Sequence, residues 1–147
     1  MLPPFTDEGE LPLGIHAAKL VEAIARFGIG SVRRKAVSDR LERIYRTAFS
    51  TGQVARFIVF GSFITAKAEP NDVDVFFLME DAFDSETLSE DSERLFHHGD
   101  AANYFGASIF WLRKAAAWEG EQAAVEYWQV KRGGGMRGIV EIIPEAL

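Results

Sequence analysis

The chain has 147 residues, of which 48% are hydrophobic, 26% charged and 12% aromatic. This length and composition are typical of one globular domain and exclude intrinsic disorder as the main state. There is no cysteine, which excludes disulfide bonds, thiolate metal sites and a cysteine nucleophile. The net charge of −6 argues against general nucleic-acid binding, since such binding relies on Lys and Arg neutralising phosphates.

Hydropathy bears on the cellular location. No apolar segment approaches the ~20 residues that a membrane-spanning helix needs. The first ten residues, MLPPFTDEGE, are acidic and proline-containing, and they lack the apolar region of a secretion signal. We therefore expect a cytoplasmic protein that does not associate with membranes.

Turn and helix signals dominate the first third of a single predicted domain, residues 1–147. Prolines and glycines predict an irregular arm over residues 1–15. Apolar residues at helical spacing predict a first helix from about His16 to Phe27. Ser31 is a good N-cap for a second, longer helix that ends near Gly52.

Strand signals dominate the rest of the chain. The segments rich in β-branched and aromatic residues are VARFIVF at 54–60, DVDVFFLM at 72–79, ASIFWL at 107–112 and GIVEII at 138–143. Helices are predicted between them, one stretch ending near Tyr104 and another over 113–128. The alternation predicts an α+β fold, a small mixed β-sheet flanked by helices.

The segment FIVFGSFITAKAEPNDVDVFFLM, residues 57–79, carries the main chemical signal. Asp72 and Asp74 open its second strand, and alternation places both on one face with Cα atoms ~6.5–7 Å apart. Two carboxylates on a largely apolar strand are costly unless something neutralises them. Mg²⁺ can do so, because it binds one or two carboxylates and completes its shell with water and phosphate oxygens. The plain alternative is a Pro-Asn-Asp turn.

Gly61 and Ser62 end the first strand of this segment and predict the other half of a site. Glycine lets the backbone turn sharply and lets a ligand come close. If a helix starts there, the N–H groups of Ser62 and Phe63 can bind an anion. Thr65 and Lys67 lie in the same loop and are candidates to contact a triphosphate. The plain alternative for a Gly-Ser pair is a turn.

The run GSFITAKAEPNDVDVFF resembles the signature of the nucleotidyltransferase superfamily, a Gly-Ser pair followed after roughly ten residues by two acids flanking a hydrophobic residue. Together with LPLGIHAA, FGASIFW and GIVEI, it resembles a group of short stand-alone bacterial members over nearly the whole chain. The resemblance implies a nucleotidyltransferase-like fold and Mg²⁺-dependent transfer of a nucleoside monophosphate from an NTP. It also implies that Gly61 and Ser62 bind phosphates and that Asp72 and Asp74 bind metal.

Enzymes of that superfamily usually carry a third carboxylate on a later strand. The matching position here is Ser108, and a hydroxyl is a poor general base near neutral pH. Glu141, in GIVEII, is the other candidate for a catalytic carboxylate. The plain alternative for Glu141 is a surface charge on an edge strand.

Two functions therefore stay open. The first is an active nucleotidyltransferase with an unknown hydroxyl acceptor, whose site a partner protein or a second subunit completes. The second is a degenerate binding module, antitoxin-like or regulatory, which uses the arginines of residues 33–46. Those arginines belong to residues 26–56, which carry eight Lys or Arg and two acids. A solvated helix face is the plain alternative, and nucleic acid is not expected as the main ligand.

A glycine turn precedes the last strand. The three tryptophans are expected to pack in the core or a groove. The alternative for Trp128 is that it forms a rim with Lys131, Arg132 and Arg137, stacking on a base and holding phosphate.

Overall fold

Within residues 1–144, which the computed structural model describes, one mixed sheet forms the centre of the fold. Its strands are β1 Ile15–Ala18, β2 Val54–Phe60, β3 Val73–Met79, β4 Ala107–Arg113 and β5 Ile139–Ile142. The α-helices are α1 Leu20–Phe27, α2 Val32–Phe49, α3 Glu90–Leu95, α4 His98–Phe105 and α5 Glu121–Glu126. None of these helices is both long and apolar enough to cross a membrane. The predicted α+β class and mixed sheet are confirmed.

The sheet order is β1-β5-β2-β3-β4. Strand β2 is antiparallel to both β3 and β5, whereas the β1–β5 and β3–β4 pairs are parallel. The C-terminal end of β2 therefore lies beside the N-terminal ends of β3 and β4. The loop that connects β2 to β3 lies at this end of the sheet, next to the start of β4.

The two faces of the sheet are covered differently. Phe57, Val75 and Phe77 face the larger core, where α2 contributes apolar side chains. The opposite face carries Ile58 and Phe76 in a smaller cluster that includes Val125 of α5. Because side chains alternate along a strand, Asp74, two residues before Phe76, lies on this second face as well.

Helix α2 follows from its sequence as predicted. The Ser31 side chain accepts a hydrogen bond of 3.0 Å from the Arg34 N–H group, the N-cap interaction that satisfies a free donor of the first turn. The helix ends at Phe49, and Gly52 follows with a φ of 70°. Burial of Val37, Leu41 and Ile44 against the sheet stabilises α2.

Two of the predicted elements are wrong. The segment around His16 is the strand β1, and α1 begins only at Leu20. Pairing with β5 decides this, because Ile139 N–H donates to Gly14 C=O and Ile143 N–H donates to Ala18 C=O. The predicted helix over 113–128 is limited to α5 with short 3₁₀ turns on either side.

Candidate functional site

Asp72 and Asp74 lie where β3 begins. Asp74 is opposite Phe60 of β2 and opposite Ser108 of β4. Gly61 follows Phe60 with a φ of 86°, and a Cβ built there would overlap the carboxylate of Asp74. The positive φ and the close approach both require glycine. The Asp74 carboxylate is thus packed against the backbone of the loop that leaves β2.

The environment of Asp74 disfavours its charge. Burial raises the pKa of Asp74 to about 6, and the neighbouring charge of Asp72 adds to the rise. The positive charges of Arg137 and Arg132 and the polar Ser108 hydroxyl oppose it. That hydroxyl donates to Oδ2 of Asp72 at 3.3 Å. A cation bound between the two aspartates would offset the cost of burying a charged carboxylate and the repulsion between the two carboxylates.

These groups suit a hard cation, because carboxylate and hydroxyl oxygens are the ligands that Mg²⁺ takes in proteins. Within residues 1–144, no group of three or more Asp, Glu, His or Cys side chains is arranged to hold a metal. The chain therefore supplies two carboxylates, and the rest of a metal shell must come from water, a ligand or another molecule.

Glu141 is engaged elsewhere. Its carboxylate accepts two hydrogen bonds from Arg56, of 2.9 Å from Nε and 2.6 Å from Nη2. It lies on β5, and β2 separates that strand from the aspartates on β3. The structure thus does not bring Glu141 to Asp72 and Asp74, and the ion pair accounts for its carboxylate. Strand β5 is also internal, so the edge-strand alternative is wrong.

The loop after Gly61 is a single 3₁₀ turn, Ser62–Ile64. So short a turn has little helix dipole, which removes that part of the predicted anion site. The Ser62 hydroxyl forms no hydrogen bond within the described residues and is available to a ligand. Thr65 differs, because its hydroxyl donates to Ser62 C=O at 2.7 Å and accepts from Lys67 N–H. Thr65 therefore shapes the loop, while Lys67 is exposed on it.

Arg34 holds this loop in place and was not distinguished by its sequence from the other arginines of α2. It is buried, 7% exposed. Its guanidinium donates to four main-chain carbonyls. One belongs to Phe27, the last residue of α1, and the others belong to loop residues Phe63, Thr65 and Lys67. This burial lowers the pKa of Arg34.

The other arginines of α2 also have partners in the chain. Arg33 donates to the Asn71 side chain at 3.2 Å, and Arg40 reaches the Asn71 and Gly106 carbonyls. Arg43 stacks over the Tyr104 ring at 4.4 Å. These contacts join α2 to the starts of β3 and β4, so the basic stretch needs no nucleic acid to explain it.

Aromatic rings continue the face that carries Asp74. Trp128 stacks on Phe60 at 4.6 Å and packs against Phe76 and Phe110, each at 5.1 Å. The prediction that the tryptophans pack in the core or a groove is confirmed for Trp111 and Trp128 and is wrong for Trp118, which is exposed. An apolar cavity of about 310 Å³ adjoins these rings, with Tyr127 at its mouth. None of its lining residues is charged.

Comparison with known proteins places the chain in a family. A family model described as "Family of unknown function (DUF6932)" matches residues 3–143. The chain belongs to DUF6932. No curated protein and no solved structure shows significant similarity to it. The family match covers Gly61, Ser62 and both aspartates, so the candidate site is part of the DUF6932 domain.

Arg34→Met in this DUF6932 protein should lower the free energy of unfolding by about 2–4 kcal/mol, since buried carbonyls lose a charged donor. The exposed neighbour offers a matched control, Arg33→Met, which should cost about 0.5 kcal/mol or less. Urea unfolding of both variants measures the difference. Equal losses would show that Arg34 does not hold the loop.

Asp74→Asn should stabilise the metal-free protein at pH 8. The folded pKa of about 6 lies above the ordinary 3.8, so the contribution of Asp74 to stability is complete below pH 3.8 and is lost as pH rises through 6. We expect a gain of about 1–3 kcal/mol at pH 8 and little change near pH 4. Urea unfolding in EDTA measures it, with exposed Asp7→Asn as control. A less stable Asp74→Asn at pH 8 would contradict the assignment.

Proposed function

We propose that this protein is a Mg²⁺-dependent nucleotidyltransferase, with a nucleotidyltransferase-like fold, that moves a nucleoside monophosphate from an NTP to a hydroxyl acceptor. The observation that carries the proposal is the packing of Asp74, beside Asp72, against Gly61, which the free hydroxyl of Ser62 follows in the chain. The Gly-Ser loop and the carboxylate pair are thus adjacent, which supports the proposal because their spacing resembles that of the superfamily signature.

Asp72 and Asp74 would hold the metal. A divalent cation suits a pair whose mutual repulsion and burial already raise the pKa of Asp74. Bound there, Mg²⁺ would supply Lewis-acid stabilisation of the charge on the transferring phosphate. The protein's part is to keep both carboxylates in one orientation, which the β2–β3 register and Gly61 provide.

Gly61 and Ser62 would belong to the phosphate-binding loop. The Asp74 carboxylate occupies the space that a Gly61 side chain would fill, so the contribution of Gly61 would be to bring the metal-binding carboxylate against the loop. The Ser62 hydroxyl, which has no partner within the described residues, would donate to a phosphate oxygen. Lys67 stays a candidate counter-charge on the loop, and Thr65 acts through the loop's shape. Arg34 holds this segment in place by donating hydrogen bonds to its main-chain carbonyls.

The transfer step asks for a proton acceptor. The acceptor oxygen forms a bond to the α-phosphorus while the bond from phosphorus to the pyrophosphate oxygen breaks, and the hydroxyl proton must leave. Ser108 stands beside Asp72 where a third carboxylate is expected, and Glu141 is bound to Arg56. This observation favours a second candidate function, a nucleotide-binding module that lacks transfer activity unless another molecule supplies the base.

Calorimetric titration of ATP and GTP, with and without Mg²⁺, tests the proposal. We expect Mg²⁺-dependent binding to the wild type and a loss of about tenfold or more in Asp74→Asn, because one metal ligand is removed. Asp7→Asn should bind as the wild type does. Absence of binding under all conditions would contradict both candidate functions.

A gain-of-function variant separates the enzyme from the binding module. Ser108→Asp places a third carboxylate opposite Asp74. If the missing base limits transfer, pyrophosphate release from Mg·NTP should rise by about 10²-fold or more, whereas Ser108→Asn should not change it. Wild-type release that already matches Ser108→Asp would favour the complete enzyme.

A further inference from the structure

Arg137 lies on the same face as the candidate site, although the loop signature does not contain it. It follows a turn of three glycines, and its N–H group donates to Gln129 C=O at 2.7 Å across that turn. Its Nε donates to Trp128 C=O at 3.0 Å. Its guanidinium carbon lies 4.9 Å from the Phe60 ring centre. The side chain is therefore fixed against the residue that precedes Gly61.

Arg137 forms no ion pair within the described residues. Within residues 1–144, no carboxylate oxygen lies within 4.0 Å of it, and its two terminal nitrogens make no hydrogen bond. The side chain is nevertheless half-buried, and burial lowers its pKa while the charges of Asp74 and Glu10 act in the opposite direction. The two terminal nitrogens are not among the buried atoms that lack a partner, so they reach solvent and are accessible to a ligand. The chain has 22 acidic and 16 basic residues, so the lack of an ion pair at Arg137 does not result from a shortage of acidic residues.

Other arginines show what a satisfied environment looks like. Buried Arg34 donates to four carbonyls, and Arg56 is paired with Glu141. Next to Arg137, Lys131 is paired with Glu10 at 2.9 Å, and Arg132 is exposed. Arg137 thus differs from Lys131 in having no ion pair, and from exposed Arg132 in being half-buried and held through Nε, with both terminal nitrogens free.

We propose that Arg137 is a phosphate-binding residue, whose free nitrogens hold the polyphosphate of a nucleotide seated over Gly61 and Ser62. This inference rests on the proposed function and names its ligand class as a di- or triphosphate. A guanidinium fork matches phosphate oxygens in a bidentate way, which a lysine cannot reproduce. Arg137 packs on the ring of Phe60, the residue before Gly61, so a polyphosphate is the ligand class expected to contact both.

Titration of inorganic tripolyphosphate and of ATP, both with Mg²⁺, tests the inference on the full chain. Arg137→Met should weaken tripolyphosphate binding by about tenfold or more, and Arg137→Lys should recover only part of it. Arg113→Met is a matched control. Arg113 also donates through Nε to a carbonyl, that of Phe83 at 2.9 Å, and also stacks on an aromatic ring, but it points to the opposite face.

The outcomes are distinct. Wild-type binding that Arg137→Met weakens and Arg113→Met leaves unchanged supports the inference. Equal binding by the wild type and Arg137→Met overturns it and leaves the proposed function standing; Arg137 would then serve only as a counter-charge to Asp74, visible as a changed unfolding midpoint. A wild type that binds neither ATP nor tripolyphosphate overturns the proposed function and this inference together. Thermal unfolding of each variant confirms that it is folded.

Discussion

The Asp74 carboxylate packs against the backbone of Gly61, beside a second carboxylate, at the start of an otherwise apolar strand. Burial and the charge of Asp72 both oppose ionisation there, which is why the pKa of Asp74 rises to about 6. Three neighbouring elements place polar or positively charged side chains around this carboxylate and its loop. Strand β4 brings the Ser108 hydroxyl, α2 fixes the adjoining loop through Arg34, and the glycine turn brings Arg137. A carboxylate so placed is expensive for the fold alone and useful to a site that binds cations.

Three arginines show that environment, rather than residue type, sets the role of a charged side chain. The Arg34 guanidinium donates its hydrogen bonds to main-chain carbonyls, and Arg56 donates two to the Glu141 carboxylate. Arg137 is half-buried, with one carbonyl acceptor for Nε and none for its two terminal nitrogens within the described residues. Satisfied buried donors are structural by default, since removing their partners is costly. Only the unsatisfied donor leaves bonding capacity for a molecule that the chain does not contain.

The sequence predicts those parts of the fold that local pattern determines. Strand β2, the alternation that puts Asp72 and Asp74 together, and the Ser31 cap depend on neighbours a few residues away. Strand β1 does not, because its four residues are stabilised by parallel pairing with β5, more than a hundred residues later. The same holds for Glu141, whose partner Arg56 is set by the pairing of β2 with β5. The free donors of Arg137 could not be seen from sequence either, as they depend on which acids the fold leaves out of reach.

Under the proposed function, the strand register affects nucleotide binding and transfer differently. Parallel pairing of β3 with β4 fixes Ser108 opposite Asp74, and the Arg56 ion pair fixes Glu141 on β5. No side-chain rotation within the described chain brings Glu141 to the aspartates without breaking that pair. If Asp72 and Asp74 hold a cation, their lone pairs are occupied and their basicity falls, so they make poor proton acceptors. The nucleotide half of the site can then be complete while the acceptor half is not, and the base for transfer would have to come from the acceptor, a second copy or a partner.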